Sequence, residues 1–172
     1  MLGRMPPALV YPDLQPPAGW TWRPDGSQIR LSPPPGAPPG LILLSPVVAV
    51  SERLPPPERL LELALGLEEE TRFTVTRRAA PRPVSSDTGL RGVCLEVGGY
   101  ARPDGPPERR IYVLYTDERC CYGINYVAPE ATFETHLSAF WAAAGSLRPY
   151  SGAVDAPAAG AKGPSPMSNY ED

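Results

Sequence analysis

The chain is poor in the residues on which most chemistry depends. It has one histidine, His136, and three cysteines, Cys94, Cys120 and Cys121. Of its 16 basic residues only Lys162 is a lysine. The cysteines include no Cys-x-x-Cys pair and keep no zinc-type spacing with the histidine, so a structural zinc site is not expected. A single imidazole leaves any serine or cysteine hydrolase one possible base, and no Gly-x-Ser-x-Gly motif accompanies it. No apolar run approaches the ~20 residues of a membrane-spanning helix. The longest, Leu41 to Val50, is interrupted by Ser45 and Pro46. The N-terminus has one arginine and no apolar core of signal-peptide length, so secretion is not expected. The net charge of −3 is dispersed, which excludes a strong footprint for nucleic acid or anionic membrane. These absences point to a soluble, cytoplasmic protein without stable disulfides.

What is plentiful is proline, with 25 residues, and glycine, with 16. Arginine in place of lysine suggests GC-rich coding, so part of the proline signal is compositional. At 172 residues the chain suits one domain with a real core. Residues 1–19 read as an extended proline-rich arm, 20–150 as a single globular domain, and 151–172 as a tail too poor in large apolar residues to offset its ordering entropy. Within the domain, Pro24-Asp25-Gly26 marks a turn before a short strand, Gln28 to Ser32. "PPPGAPPG" is a stiff loop. "LILLSPVVAV" is a buried strand whose Pro46 requires an edge position or a bulge. A first helix, Glu58–Glu69, follows a proline-rich start and carries Leu60, Leu61, Ala64, Leu65 and Leu67 over a broad face. "RFTVTRR" alternates as a strand, and a loop runs through Pro81, Pro83 and "SSDTG". Three further strands, in "LRGVCLEVGGYA", "RRIYVLYT" and "CYGINYVA", form an antiparallel meander. The closing helix, Thr132–Ala144, places Phe133, Leu137, Phe140, Trp141 and Ala144 on one face.

The chemical candidates reduce to structure when weighed one at a time. Cys120 and Cys121 are adjacent on a strand, so their side chains leave opposite faces and cannot share a site. Neighbouring Cα atoms also lie too close for a regular disulfide. His136 sits next to core Leu137 and reads as a solvent-facing helix histidine. The acids Glu68, Glu69 and Glu70 read as a solvated helix end, although the helix dipole disfavours them there. Asp117 and Glu118 belong to a connection between strands. Trp20 and Trp22 alternate along an extended segment and could line a groove; cross-strand packing explains them equally well.

The order of arm, strands, helix, meander and final helix resembles the PsbP-like superfamily. That superfamily includes the photosystem II extrinsic subunit, the bacterial DcrB-like proteins and a yeast Ran-binding import factor. The resemblance rests on "GWTWRPDGSQIRLSPPPGAPPGLILLS", the first helix, "DTGLRGVCLEVGG" and "YGINYVAPEATFETHLSAFWAAAGSLR", and spans residues 18 to 150. The chain departs from it in its proline density and in lacking the lipoprotein signal common in DcrB-like proteins. The resemblance implies an α+β sandwich, in α/β terms a mainly antiparallel sheet flanked by helices, and a binding protein rather than an enzyme. Among bacterial relatives without a signal, the Eag chaperones of type VI secretion effectors are similar in length and compartment. They imply a protein partner that presents hydrophobic segments.

The reading is therefore a non-enzymatic adaptor or chaperone with no cofactor, no bound metal and no nucleic-acid partner; it leaves room for a homodimer. A small-ligand sensor, a structural component of a larger assembly and a thiol-based redox enzyme are the alternatives. Large apolar groups on both faces of the meander place the expected partner surface on Tyr112, Leu114, Tyr122, Ile124 and Tyr126, unless two helices sandwich the sheet.

Overall fold

The computed structural model describes residues 9–50, 56–71 and 73–152. Its strands are β1 (Thr21–Asp25), β2 (Gln28–Ser32), β3 (Leu41–Leu44), β4 (Val48–Ala49), β5 (Thr74–Arg78), β6 (Arg82–Ser85), β7 (Arg91–Tyr100), β8 (Glu108–Thr116) and β9 (Cys120–Pro129). Two α-helices, α1 (Pro57–Thr71) and α2 (Leu137–Gly145), complete the framework. Among the described residues the sheet runs β1-β2-β3-β9-β8-β7-β5, with β4 beside β9 and β6 beside β7. Every one of these pairs is antiparallel. This is the expected α+β sandwich, a mainly antiparallel sheet flanked by helices.

The alternation of the long strands sends apolar groups to both faces, and each face has its own cover. On one face Leu60, Leu61, Ala64 and Leu65 of α1 pack over Val93, Leu95, Val97, Tyr112, Leu114 and Cys121. On the other, Phe133, Phe140, Ala143 and Ala144 pack over Ile111, Val113, Tyr115, Tyr122, Ile124 and Tyr126. Tyr126 stacks on Phe140 with centroids 5.5 Å apart and an interplanar angle of 17°. The sheet approaches its neighbours closely at Gly92, where a Cβ would collide with the backbone carbonyl of Leu114.

Four local expectations change. The loop after Ala80 contains β6, in which Pro83 lies opposite Val93; among the described residues β6 pairs with β7 alone, so a missing proline N–H is tolerated. The expected single strand is broken at Pro46, where four residue steps from Leu44 to Val48 face three from Ile124 to Cys121, so the bulge that the proline suggested is present. It separates β3 from β4, both of which pair with β9. The closing helix divides into a 3-10 turn, Glu130–Thr135, and α2, with His136 between them. The arm, finally, packs against the domain from Val10 onward. Val47 N–H donates to the Val10 carbonyl at 2.8 Å and Arg148 N–H to that of Asp13 at 2.8 Å. Val10, Tyr11 and Leu14 pack on the α2-side core, which therefore extends into the arm. The side chains of Leu67, Glu68, Glu69 and Glu70 and the expected tail from residue 153 lie outside the described residues.

Candidate binding groove

The five residues expected to form a partner surface are core residues. Tyr112 and Leu114 lie beneath α1, whereas Tyr122, Ile124 and Tyr126 lie on the opposite face. All five are buried. Both helices cover the meander, so the surplus of apolar groups is consumed inside the molecule and no single surface contains the set. Their polar tips are satisfied internally. Tyr126 Oη–H donates to the Phe133 carbonyl at 2.7 Å, and Tyr122 Oη–H donates to Asp117 Oδ2 at 2.7 Å while accepting from Tyr150 N–H at 2.8 Å. Burial pushes the Tyr126 hydroxyl up to about 12 and raises that of Tyr122.

The vicinal cysteines divide between the two cores, Cys120 on the α2 side and Cys121 on the α1 side. All three thiols are free and buried. Burial raises Cys120 and pushes Cys94 and Cys121 up to about 11, which leaves little thiolate at neutral pH. Asp117 beside them is a turn residue: its Oδ1 accepts from the N–H groups of Arg119 at 2.7 Å and Cys120 at 2.6 Å. Among the described residues no group of three or more histidine, cysteine or acidic side chains could hold a metal ion.

His136 is buried rather than solvent-facing. Its Nε2–H donates to the Pro38 carbonyl at 2.7 Å, and its ring meets Trp20 edge-on at 5.2 Å. A Cβ on Gly40 would come within 2.8 Å of the imidazole. The histidine thus ties the proline-rich loop to the junction before α2, a structural role that helical spacing alone does not disclose.

Two clefts remain. One, of about 240 Å³, is lined by Arg77, Arg78, Arg109, Glu96 and Gly98. Its arginines are engaged: Arg77 pairs with Glu130, Arg109 with Glu96 and Glu134, and Arg78 with Glu62. Arg109 also lies 4.0 Å from the centroid of the Phe133 ring. Arg77 and Arg109 thus hold the 3-10 turn against the sheet, Arg78 ties α1 to β5, and each arginine lining the cleft already faces a carboxylate.

The other cleft, of about 300 Å³, opens between the arm and the outer strands. Tyr11, Leu14 and Pro16 form one wall, and Trp22, Ile29 and Leu44 the other. The arm is fixed there because Tyr11 Oη–H donates to the Ser27 carbonyl at 2.6 Å and Gln15 N–H to Ser146 Oγ at 2.8 Å. Trp22 is 63% exposed at the mouth. An indole left in water beside an apolar cleft is the composition of a contact surface, since its ring offers large apolar area and an N–H donor. The alternation of Trp20 and Trp22 carried part of this signal. The arm supplying the second wall had no periodic pattern to reveal it.

No family profile matches the chain, and no curated protein matches it. Among solved structures it is similar to the solution structure of cyanobacterial PsbP (CyanoP) from Synechocystis sp. PCC 6803, with TM-score 0.57 and 11% identity over 87% of this chain and 99% of that one. It is also similar to the crystal structure of PA94 of Pseudomonas aeruginosa, a protein of unknown function, with TM-score 0.51 and 13% identity over 86% of this chain and 90% of that one. At these identities the likeness concerns fold alone. The architecture is PsbP-like.

Proposed function

We propose that the chain is a non-enzymatic protein-binding adaptor or chaperone that holds an apolar segment of a client in the groove between its arm and β1–β3. The observation that carries this reading is Trp22, exposed at the mouth of a cleft whose lining, Asp13 apart, is aliphatic and aromatic. The sequence resemblance to Eag-type chaperones supplies a client class, the hydrophobic segments of a secreted effector, and with it a bacterial cytoplasmic setting. Buried thiols with raised pKa values weigh against the thiol-enzyme alternative. Among the described residues no helix is long and apolar enough to cross a membrane.

The test is co-purification. The chain should carry one stoichiometric protein partner, and Trp22→Asp should abolish capture without moving the melting temperature. A Trp22→Asp chain that keeps its partner would sink the reading. A small-ligand sensor would instead show melting shifts with a metabolite and no protein partner.

A further inference from the structure

We propose that the client binds as an extended strand added to the outer edge of β1, with an acidic residue between two apolar ones facing Trp22, Arg23 and Pro24. This rests on the protein-binding reading and specifies its chemistry. β1 and β2 are joined by the two-residue turn Gly26-Ser27, with Gly26 at φ +61°, and Asp25 lies opposite Gln28. In such a hairpin the closing pair is hydrogen-bonded, and bonded and non-bonded pairs then alternate. Arg23 and Thr21 therefore spend their backbone groups on β2. Trp22 and Pro24 turn theirs outward, and among the described residues no strand pairs with that side. The edge offers Trp22 N–H, Trp22 C=O and Pro24 C=O. Proline sits where its missing N–H would have pointed away from the sheet.

Charge selects the occupant. Arg23 lies directly opposite Arg30, a like-charge cross-strand pair. The nearby carboxylate, Asp25, is engaged by Arg30 at 3.0 Å, and among the described residues Arg23 has no ion-pair partner. A second copy of this chain fits poorly. About a twofold at Trp22 it would exchange only the two Trp22 bonds, because the Trp20 N–H that would face Pro24 already donates to the Pro17 carbonyl at 3.1 Å. About a twofold at Arg23 it would set two arginines opposite each other, a like-charge pair. An antiparallel client strand instead makes both Trp22 bonds and one to the Pro24 carbonyl. It sets an acidic side chain across from Arg23, and its flanking apolar side chains fall on the Trp22 face, at the groove.

The probe is a short synthetic peptide alternating valine and glutamate, compared with one alternating valine and lysine and with the valine–glutamate peptide N-methylated at two adjacent central residues. The valine–glutamate peptide should bind and protect the Trp22 backbone amide from hydrogen exchange. Blocking its backbone should weaken binding about tenfold, as expected for one or two lost hydrogen bonds. The wild type should prefer glutamate over lysine by about threefold, and Arg23→Glu should invert that preference. Failure of the valine–glutamate peptide to bind, an unprotected Trp22 amide at saturation, or equal binding of the N-methylated peptide would each overturn strand addition. A preference that Arg23→Glu leaves unchanged would overturn the charge assignment. The groove reading falls separately, if Trp22→Asp retains the natural client.

Discussion

At the centre of the sheet, β7–β9 alternate large apolar side chains on both faces, and Tyr112, Leu114, Tyr122, Ile124 and Tyr126 are buried under α1 or α2. At its outer edge, β1 also alternates, yet Trp22 stands in water beside an open cleft. Both regions carry aromatic side chains on strands, although the second face of β1 is polar, with Thr21, Arg23 and Asp25. What differs for the aromatic side chains is the cover, two helices in one place and a short proline-rich arm in the other. An aromatic residue on a strand thus reports its capacity for contact, and the remainder of the fold decides whether that contact is made inside the molecule or kept for a partner.

The sharpest way to break the comparison is at the centre. Tyr126→Ala removes a ring stacked on Phe140 together with a hydrogen bond, and it should cost about 3–5 kcal/mol in urea unfolding. Gly92→Ala should cost about 1–3 kcal/mol or more, since the new methyl group meets backbone that cannot rotate away. Unchanged unfolding midpoints would show that the centre is not the rigid core described.

Alkaline pH tests the same burial. The Cys94 and Cys121 thiols rise from 9.0 to about 11, and the Tyr115 and Tyr126 hydroxyls from 10.0 to about 12, all chiefly through desolvation. The unfolded chain releases these protons first. Their contribution is therefore complete below pH 9, and stability falls as pH rises through 9–11 for the thiols and 10–12 for the tyrosines. Urea melts across this range should show the decline, and Cys94→Ala should flatten its first part.

A smaller effect is expected between the two regions, on the α1 side of β2, β3 and β9. Gln28, Ser45 and Asn125 are buried there on one sheet face, and among the described residues Gln28 Nε2, Ser45 Oγ and both side-chain polar atoms of Asn125 have no hydrogen-bond partner. Leaving a buried polar group unpaired costs about 1–3 kcal/mol. Asn125→Leu should raise stability by about 1 kcal/mol in the same assay. The smallest effect belongs to the edge. Trp22→Asp should shift stability by no more than about 0.5 kcal/mol while removing client capture.

Periodicity made most of the framework legible. The helical stripe Phe133, Phe140 and Ala144, the alternation of β7–β9 and the turn at Gly26 are local signals, each set by a few consecutive residues. The opposite faces of Cys120 and Cys121 follow from strand geometry alone. The fate of His136 does not, because its carbonyl partner lies in a loop far away in sequence and no local pattern marks a contact with Pro38. β6 was hidden for a related reason: "RPVS" has no alternation of its own and is a strand because β7 offers it a ladder. The groove depended most on tertiary structure. The arm and β1 share no hydrophobic period, and they form a cleft only because Val10, Asp13 and Gln15 hydrogen-bond to Val47, Arg148 and Ser146. Local sequence thus determined most of the helices and strands, β6 excepted, and which side chains were able to make contact. Long-range packing, which depends on which surfaces are left after the helices settle, decided that the tyrosines became core and that Trp22 remained exposed.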